Sequence, residues 1–145
     1  MSLSSCVENS SAESPLPETE FQQLKQGAYI DSGIFMKKQI KIITSQFDYN
    51  DELANYTSDT PEEIDFEKGK VLLMDLGQRN TGGYSIGLDS IDVFETHITA
   101  NVNLSKPGQN CAVTQALTNP FQFVYIPTLR EILVKESLMI YQCGE

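Results

Sequence analysis

Apolar side chains are sparse in the first twenty residues, where Ser and Glu dominate and Pro15 and Pro17 interrupt. Such a segment cannot bury enough apolar surface to offset the entropy of ordering it. Residues 1–20 therefore read as a disordered tether and residues 21–145 as a single β-rich domain. Phe21, Leu24, Tyr29 and Ile30 open the folded part, with Gly27 and Gly33 as punctuation. Phe35 and Met36 lead into Ile40, Ile42 and Ile43, a strand flanked by Lys37, Lys38 and Lys41. Lysines so placed serve most simply to protect a sheet edge. The spacing then turns helical. Ser45 has the chemistry of an N-cap, Asp48 follows three residues on, and Tyr49, Leu53 and Tyr56 share one face. That pattern predicts a helix over 46–56 that packs its aromatic stripe on a sheet.

From Lys70 onward the period is two. Val71–Leu76 predicts one strand and Tyr84–Leu88 another, with Asn80-Thr81-Gly82-Gly83 as a tight tip between them. Gly82 and Gly83 can take positive φ without steric cost, and Asn80 tolerates it, so the direct reading is a hairpin. Arg79 and Thr81 should then project from the tip, while Tyr84, Ile86 and Leu88 share a buried face. The apolar phase slips between Leu88 and Ile91, which predicts a bulge near Asp89-Ser90. Ile98, Ala100, Val102 and Leu104 alternate with His97, Thr99, Asn101 and Asn103 along a half-exposed strand. Pro107-Gly108 turns the chain, and further strands are expected near 112–117, 121–126, 131–135 and 138–142. Many short strands with one short helix in the N-terminal third predict a mainly β fold, an antiparallel sandwich or a partly open barrel.

Charge narrows the partners. Asp and Glu number 20 against 10 Lys and Arg, a formal net charge of −10 over 145 residues. That balance opposes phosphate backbones, so nucleic acid is not expected as a partner. No apolar run approaches a membrane span. Of the three cysteines, Cys111 and Cys143 fall in the β-rich part. A disulfide between them in an oxidising compartment and a pair of buried free thiols are both open readings. Leu3-Ser4-Ser5-Cys6 resembles the cleavage box of a bacterial lipoprotein, which makes Cys6 a lipid-anchor candidate beside the plainer reading of an incidental tail cysteine. No apolar h-region precedes it, and Met1-Ser2-Leu3 equally fits an expression remnant.

The chemistry-bearing groups do not assemble into a reacting set. Gly83-Tyr84-Ser85-Ile86-Gly87 satisfies the G-x-S-x-G pattern of a hydrolase elbow, which needs a strand before the serine and a helix after it. Here Ser85 sits in a β arm, and His97, the one histidine, belongs to the polar face of the next strand. A serine hydrolase using Ser85 is an alternative against which this context argues, and the chain reads as no enzyme. One histidine and three scattered cysteines have no zinc spacing. Asp48-x-Asn50-x-Glu52 follows the start of a calcium loop, but Leu53 stands where that loop needs glycine. The acidic group Asp59, Glu62, Glu63, Asp65 and Glu67 reads as a solvated loop. No metal site and no cofactor are expected.

Gly77-x-Arg79-x-Thr81-Gly82-Gly83-Tyr84-Ser85-Ile86 resembles the signature of the C-terminal domain of PrcB-type protease-complex subunits. Further elements in the family's order are Ile64-Asp65-Phe66 before it, then Pro107-Gly108, Thr114-Gln115 and Thr118-Asn119-Pro120-Phe121. The likeness spans about Ile42 to Ile126. It departs from the pattern at Asn80, where proline is usual. The resemblance implies an accessory or assembly subunit of a secreted protease complex. Its partner would be a protease or another subunit, and its place the bacterial periplasm, the outer membrane by a lipid anchor, or the cell exterior. It also makes Arg79, Asn80, Thr81, Gly82 and Gly83 the partner-binding candidates, with Asp65, Phe66, Tyr84, Pro107, Gly108, Thr118 and Pro120 as the structural signature. A second likeness is to chagasin-type protease inhibitors, which insert a Thr-Gly-Tyr-bearing loop into an active-site cleft. Thr81-Gly82-Gly83-Tyr84 would be that loop.

Overall fold

The computed structural model describes residues 20–30 and 37–144. The expected tether apart from Glu20, Cys6 within it, and Gly33, Phe35 and Met36 lie outside the described residues.

Seven strands in two sheets and one short helix make up the described chain. They are β1 (Gln22–Gly27), β2 (Gln39–Ile43), helix α1 (Gln46–Leu53), β3 (Lys70–Asp75), β4 (Ser85–Val93), β5 (His97–Pro107), β6 (Phe121–Ile126) and β7 (Glu131–Tyr141). The first sheet runs β1-β6-β3-β2, every pair antiparallel. The second runs β4-β5-β7. The fold is mainly β and the sheets do not close into a barrel.

β3 explains the layering. Its run Val71-Leu72-Leu73-Met74 is buried throughout because the strand is central and covered on both faces. Leu72 and Met74 face the second sheet, meeting Ile86, Leu88, Ile98, Ala100 and Val102 in one core. Val71 and Leu73 face the helix side and meet Tyr49, Leu53, Tyr56, Phe121 and Phe123 in another. Helix α1 begins as its sequence predicts: Ser45 accepts from the Asp48 amide at 3.1 Å. Its stripe packs ring on ring, Tyr49 on Phe123 at 5.9 Å and Tyr56 on Phe121 at 4.7 Å. The helix ends at Leu53 rather than Tyr56, and a turn carries Tyr56 into the core. The β4–β5 register slips between Leu88 and Ser90, at the expected bulge.

Three sequence expectations are corrected. β3 and β4 are not a hairpin. Each finds its hydrogen-bonding neighbours elsewhere, β3 between β6 and β2 and β4 on β5, so residues 76–84 cross from one sheet to the other. Residues 112–117 form no strand, since Cys111 is bonded to Cys143 and the segment lies along the crossover. Residues 131–141 are one unbroken strand instead of a pair, and it runs parallel to β5. A parallel neighbour needs a long return path, supplied here by the passage through β6 in the other sheet.

Candidate functional site

The crossover that carries the Thr-Gly-Gly signature starts from a buried polar knot. Asp75, at the end of β3, is wholly inaccessible to solvent. Its carboxylate accepts from the Tyr56 hydroxyl, the Gly77 amide at 2.7 Å and the Asn119 side-chain amide at 2.6 Å. Gln39 in turn donates to Tyr56 at 3.2 Å. Burial holds the Asp75 carboxyl above the usual carboxylate range, opposed by its three donors, which favour the ionised form. Burial also pushes the Tyr56 hydroxyl far above the ordinary phenol range, reinforced by the adjoining Asp75. The knot joins β2, the turn after the helix, β3 and Asn119, two residues before β6. It also fixes Gly77 at φ 85°, the left-handed turn that leaves the sheet.

Beyond Gly77 the crossover is strapped down. Arg79 donates its amide to the Thr118 carbonyl at 2.7 Å and accepts from the Thr118 amide at 2.9 Å. Thr118 Oγ1 donates to the Thr81 carbonyl at 2.8 Å, and the Gly82 amide donates to Thr114 at 3.0 Å. On the other side Tyr141 of β7 donates its hydroxyl to the Gly83 carbonyl at 2.9 Å. Arg79 and Thr81 are consequently half-buried rather than projecting, and Gln78, Asn80 and Gly83 are what the crossover shows to solvent. The Arg79 guanidinium lies 5.5 Å over the Tyr84 ring and donates to the Leu76 carbonyl at 3.1 Å, while its Nε is buried without a partner. Tyr84 is half-buried against the inter-sheet core, less enclosed than the alternation predicts.

The two glycines differ from expectation. Gly83 has positive φ, 93°, and Gly82 does not. Gly82 is required by space instead: a Cβ there would collide with Thr114 Oγ1.

The other signature residues brace this assembly. The Asp65 carbonyl accepts from Tyr125 at 2.8 Å and its carboxylate from the Glu67 amide at 3.2 Å, while Phe66 packs on the helix-side core. At the end of β5, after Pro107, the Gly108 amide donates to Tyr141 at 2.9 Å. The Cys111–Cys143 disulfide, with Cα atoms 5.1 Å apart, closes the same corner. Thr118 is buried, and the Pro120 carbonyl accepts from Leu76 at 2.9 Å. A groove of about 350 Å³ opens beside the crossover, lined by Leu76, Arg79, Tyr84, Leu104, Lys106 and Leu138 among others.

Candidate catalytic and metal groups are dispersed. Ser85 pairs with Ser105 at one end of the second sheet, whereas His97 starts β5 at the other end. Eight residues of β4 beyond Ser85 separate them, about 26 Å at strand rise. Ser85 lines a depression of about 390 Å³ whose walls contain no histidine and no acid. His97 stacks on Phe94 at 4.8 Å. Asp48, Asn50 and Glu52 lie on α1, Asp59 pairs with Lys25 at 2.7 Å, and Glu62 accepts from Tyr49 at 2.6 Å. Asp75, Gly77 and Asn119 were not picked out as site residues by sequence reasoning. The available signal was an aspartate ending an otherwise apolar run, Val71-Leu72-Leu73-Met74-Asp75-Leu76.

The crossover, with Asp75 and Asn119 of the knot and Thr114 and Thr118 of the strap, falls within one stretch of chain, while Gln39, Tyr56 and Tyr141 come from outside it. Residues 71–127 match the PrcB C-terminal family model. No curated protein and no solved structure matches the chain. The resemblance to the PrcB C-terminal domain is thereby shown over β3 to β6, and the chagasin likeness finds no support. The PrcB C-terminal match stops at Pro127, before β7.

Proposed function

We propose that this chain is a non-enzymatic protein-binding module, an accessory or assembly subunit of a protease complex in the bacterial cell envelope or outside the cell. The carrying observation is the PrcB C-terminal match over residues 71–127, which is consistent with a protease-complex accessory module. The geometry supports the same reading. The matched segment contributes to a rigid support: a buried carboxylate knot that Tyr56 completes, a crossover strapped by Thr118 from within the segment and by Tyr141 from β7, and a disulfide that ties Cys111 to Cys143. A surface already held in one conformation loses little entropy on docking. The distance between Ser85 and His97 supports a role without catalysis. A disulfide is at home in an oxidising compartment, which supports the envelope or exterior location. The proposal is tested by cross-linking the tagged chain in its native envelope and identifying what co-purifies. Recovery of a protease or its subunit, reduced by Asn80→Arg at the exposed crossover, is the expected result. Recovery of no protease component in repeated cross-linking would overturn it.

A further inference from the structure

Two sheets leave four strand edges among the described residues, and three are blunted. β1 is short, polar and bulged between Gln23 and Lys25. β2 is five residues long, with Lys38 and Lys41 beside and within it, both in ion pairs. β4 is bulged at Leu88/Ser90 and carries Asp89 and Asp92. These are the usual devices that stop one sheet edge from pairing with another chain. The fourth edge, β7, carries Glu131, Lys135 and Glu136 in its first part, but from Ser137 to Tyr141 it has none of them. β7 runs eleven residues without proline, and its register on β5 has no slip. Over residues 138–140 its exposed side chains are apolar on both faces: Leu138 is 64% exposed, Met139 51% and Ile140 51%.

The reason is an overhang. β7 continues the inner face of the second sheet through Ile132, Val134, Leu138 and Ile140, opposite Ile98, Ala100, Leu104 and Lys106. Only Ile132 is buried, because the described first sheet ends at β2, which touches β7 through the Lys38–Glu136 pair at 2.7 Å. Beyond that pair lies the groove beside the crossover. Its floor is Leu76, Leu104 and Leu138, and its charged lining is Arg79 and Lys106, with no acid. In a chain of net charge −10 that is a local reversal of sign.

We infer that the free edge of β7 receives an extended strand of a partner protein, an apolar segment with one carboxylate that enters the groove between Arg79 and Lys106. Main-chain hydrogen bonds to β7 would supply affinity, and alternate side chains resting on Leu138 and Ile140 would supply register. The carboxylate would meet cations that form no ion pair among the described residues, which sets the partner's chemistry. The inference rests on the protein-binding reading above and gives that reading a surface.

The full chain is titrated with a fluorescent peptide of about ten alternating valines and threonines carrying one central glutamate. Its companions are a glutamine twin and two versions N-methylated on odd or on even residues. Micromolar binding is expected, with about tenfold loss for the glutamine twin, since one charge-assisted contact is worth that much. One N-methylated set should lose binding and the other keep it, because a strand turns alternate amides to its neighbour. Leu138→Asp and the milder Leu138→Ser should weaken binding about tenfold or more at an unchanged melting temperature. Equal binding of both N-methylated sets, indifference to both Leu138 variants, or no binding of any probe overturns the inference. A dimer in light scattering that Leu138→Asp dissolves would make the occupant a second copy and overturn it as well. A protease component that co-purifies equally with wild type and Leu138→Asp overturns this surface and leaves the accessory-subunit proposal standing.

Discussion

Tyr56→Phe is the sharpest probe of the knot under the crossover. The substitution keeps the ring, so packing on Phe121 and Phe123 is retained, and removes one hydroxyl. That hydroxyl is the donor to one oxygen of a wholly buried Asp75 and the acceptor for Gln39. Gln39 is half-buried and can turn toward water, so its loss costs little. A hydrogen bond to a buried charge contributes about 1.5–3 kcal/mol, which puts the expected cost near 2 kcal/mol at pH 7, or about 4–8 °C in melting temperature for a domain of this size. The pH dependence identifies the cause. A carboxyl whose folded pKa lies above its unfolded value favours the fold below the unfolded pKa and loses that contribution as pH rises through the folded one. Burial sets Asp75 in this class, and removing a donor to its carboxylate raises the folded pKa further. The Tyr56→Phe deficit should therefore be full at pH 7 and shrink as pH falls toward about 4, where protonated Asp75 no longer needs the donor. Urea unfolding followed by circular dichroism at both pH values measures it. A double-mutant cycle with Asp75→Asn should show coupling of about 1 kcal/mol or more. A cost below about 0.5 kcal/mol at pH 7, or an equal cost at pH 4, would refute a charged knot at this position.

Serine in place of Cys111 and Cys143 should cost about 3–4 kcal/mol by the loop-entropy relation for a separation of 32 residues, read as a lower urea midpoint that reducing agent reproduces in the wild type. Gly83→Val should destabilise by about 1–3 kcal/mol, since its φ is 93° and a Cβ would stand 2.9 Å from Val113; calorimetry checks it. Gly82→Ala should be destabilising alone and largely rescued by Thr114→Ala, because Thr114 Oγ1 is what the new Cβ meets; a melt of the double variant no higher than that of Gly82→Ala would contradict this. Tyr49 and Tyr56 have hydroxyls pushed up mainly by burial, so their contribution is complete below the ordinary phenol pKa and lost above it. Stability should fall steeply beyond about pH 10, by up to about 1.4 kcal/mol per pH unit for each tyrosine, and Tyr56→Phe should flatten the slope.

Features decided within one turn or one strand were legible in the sequence. Ser45, Asp48 and the Tyr49-Leu53-Tyr56 stripe specify α1 because a helix start is capped by its own neighbours. The alternation from Ile98 to Leu104 specifies β5 because one face of that strand is buried and the other wet. The phase slip at Asp89-Ser90 showed a bulge for the same reason. Strand partnership was not legible. The glycines after Arg79 announce an irregular backbone, but local chemistry cannot say whether the arms of that turn pair with each other or join different sheets. Burial decides: β3 is covered on both faces only when β6 and β2 flank it and β4 lies in the sheet opposite. The places of Arg79 and Thr81 follow from Thr118 and those of Gly82 and Gly83 from Thr114 and Tyr141, all distant in sequence. β7 read as two strands because Glu136-Ser137 interrupts its apolar pattern. That interruption falls where the strand leaves the first sheet behind, and only the assembled sandwich shows where its covering face ends.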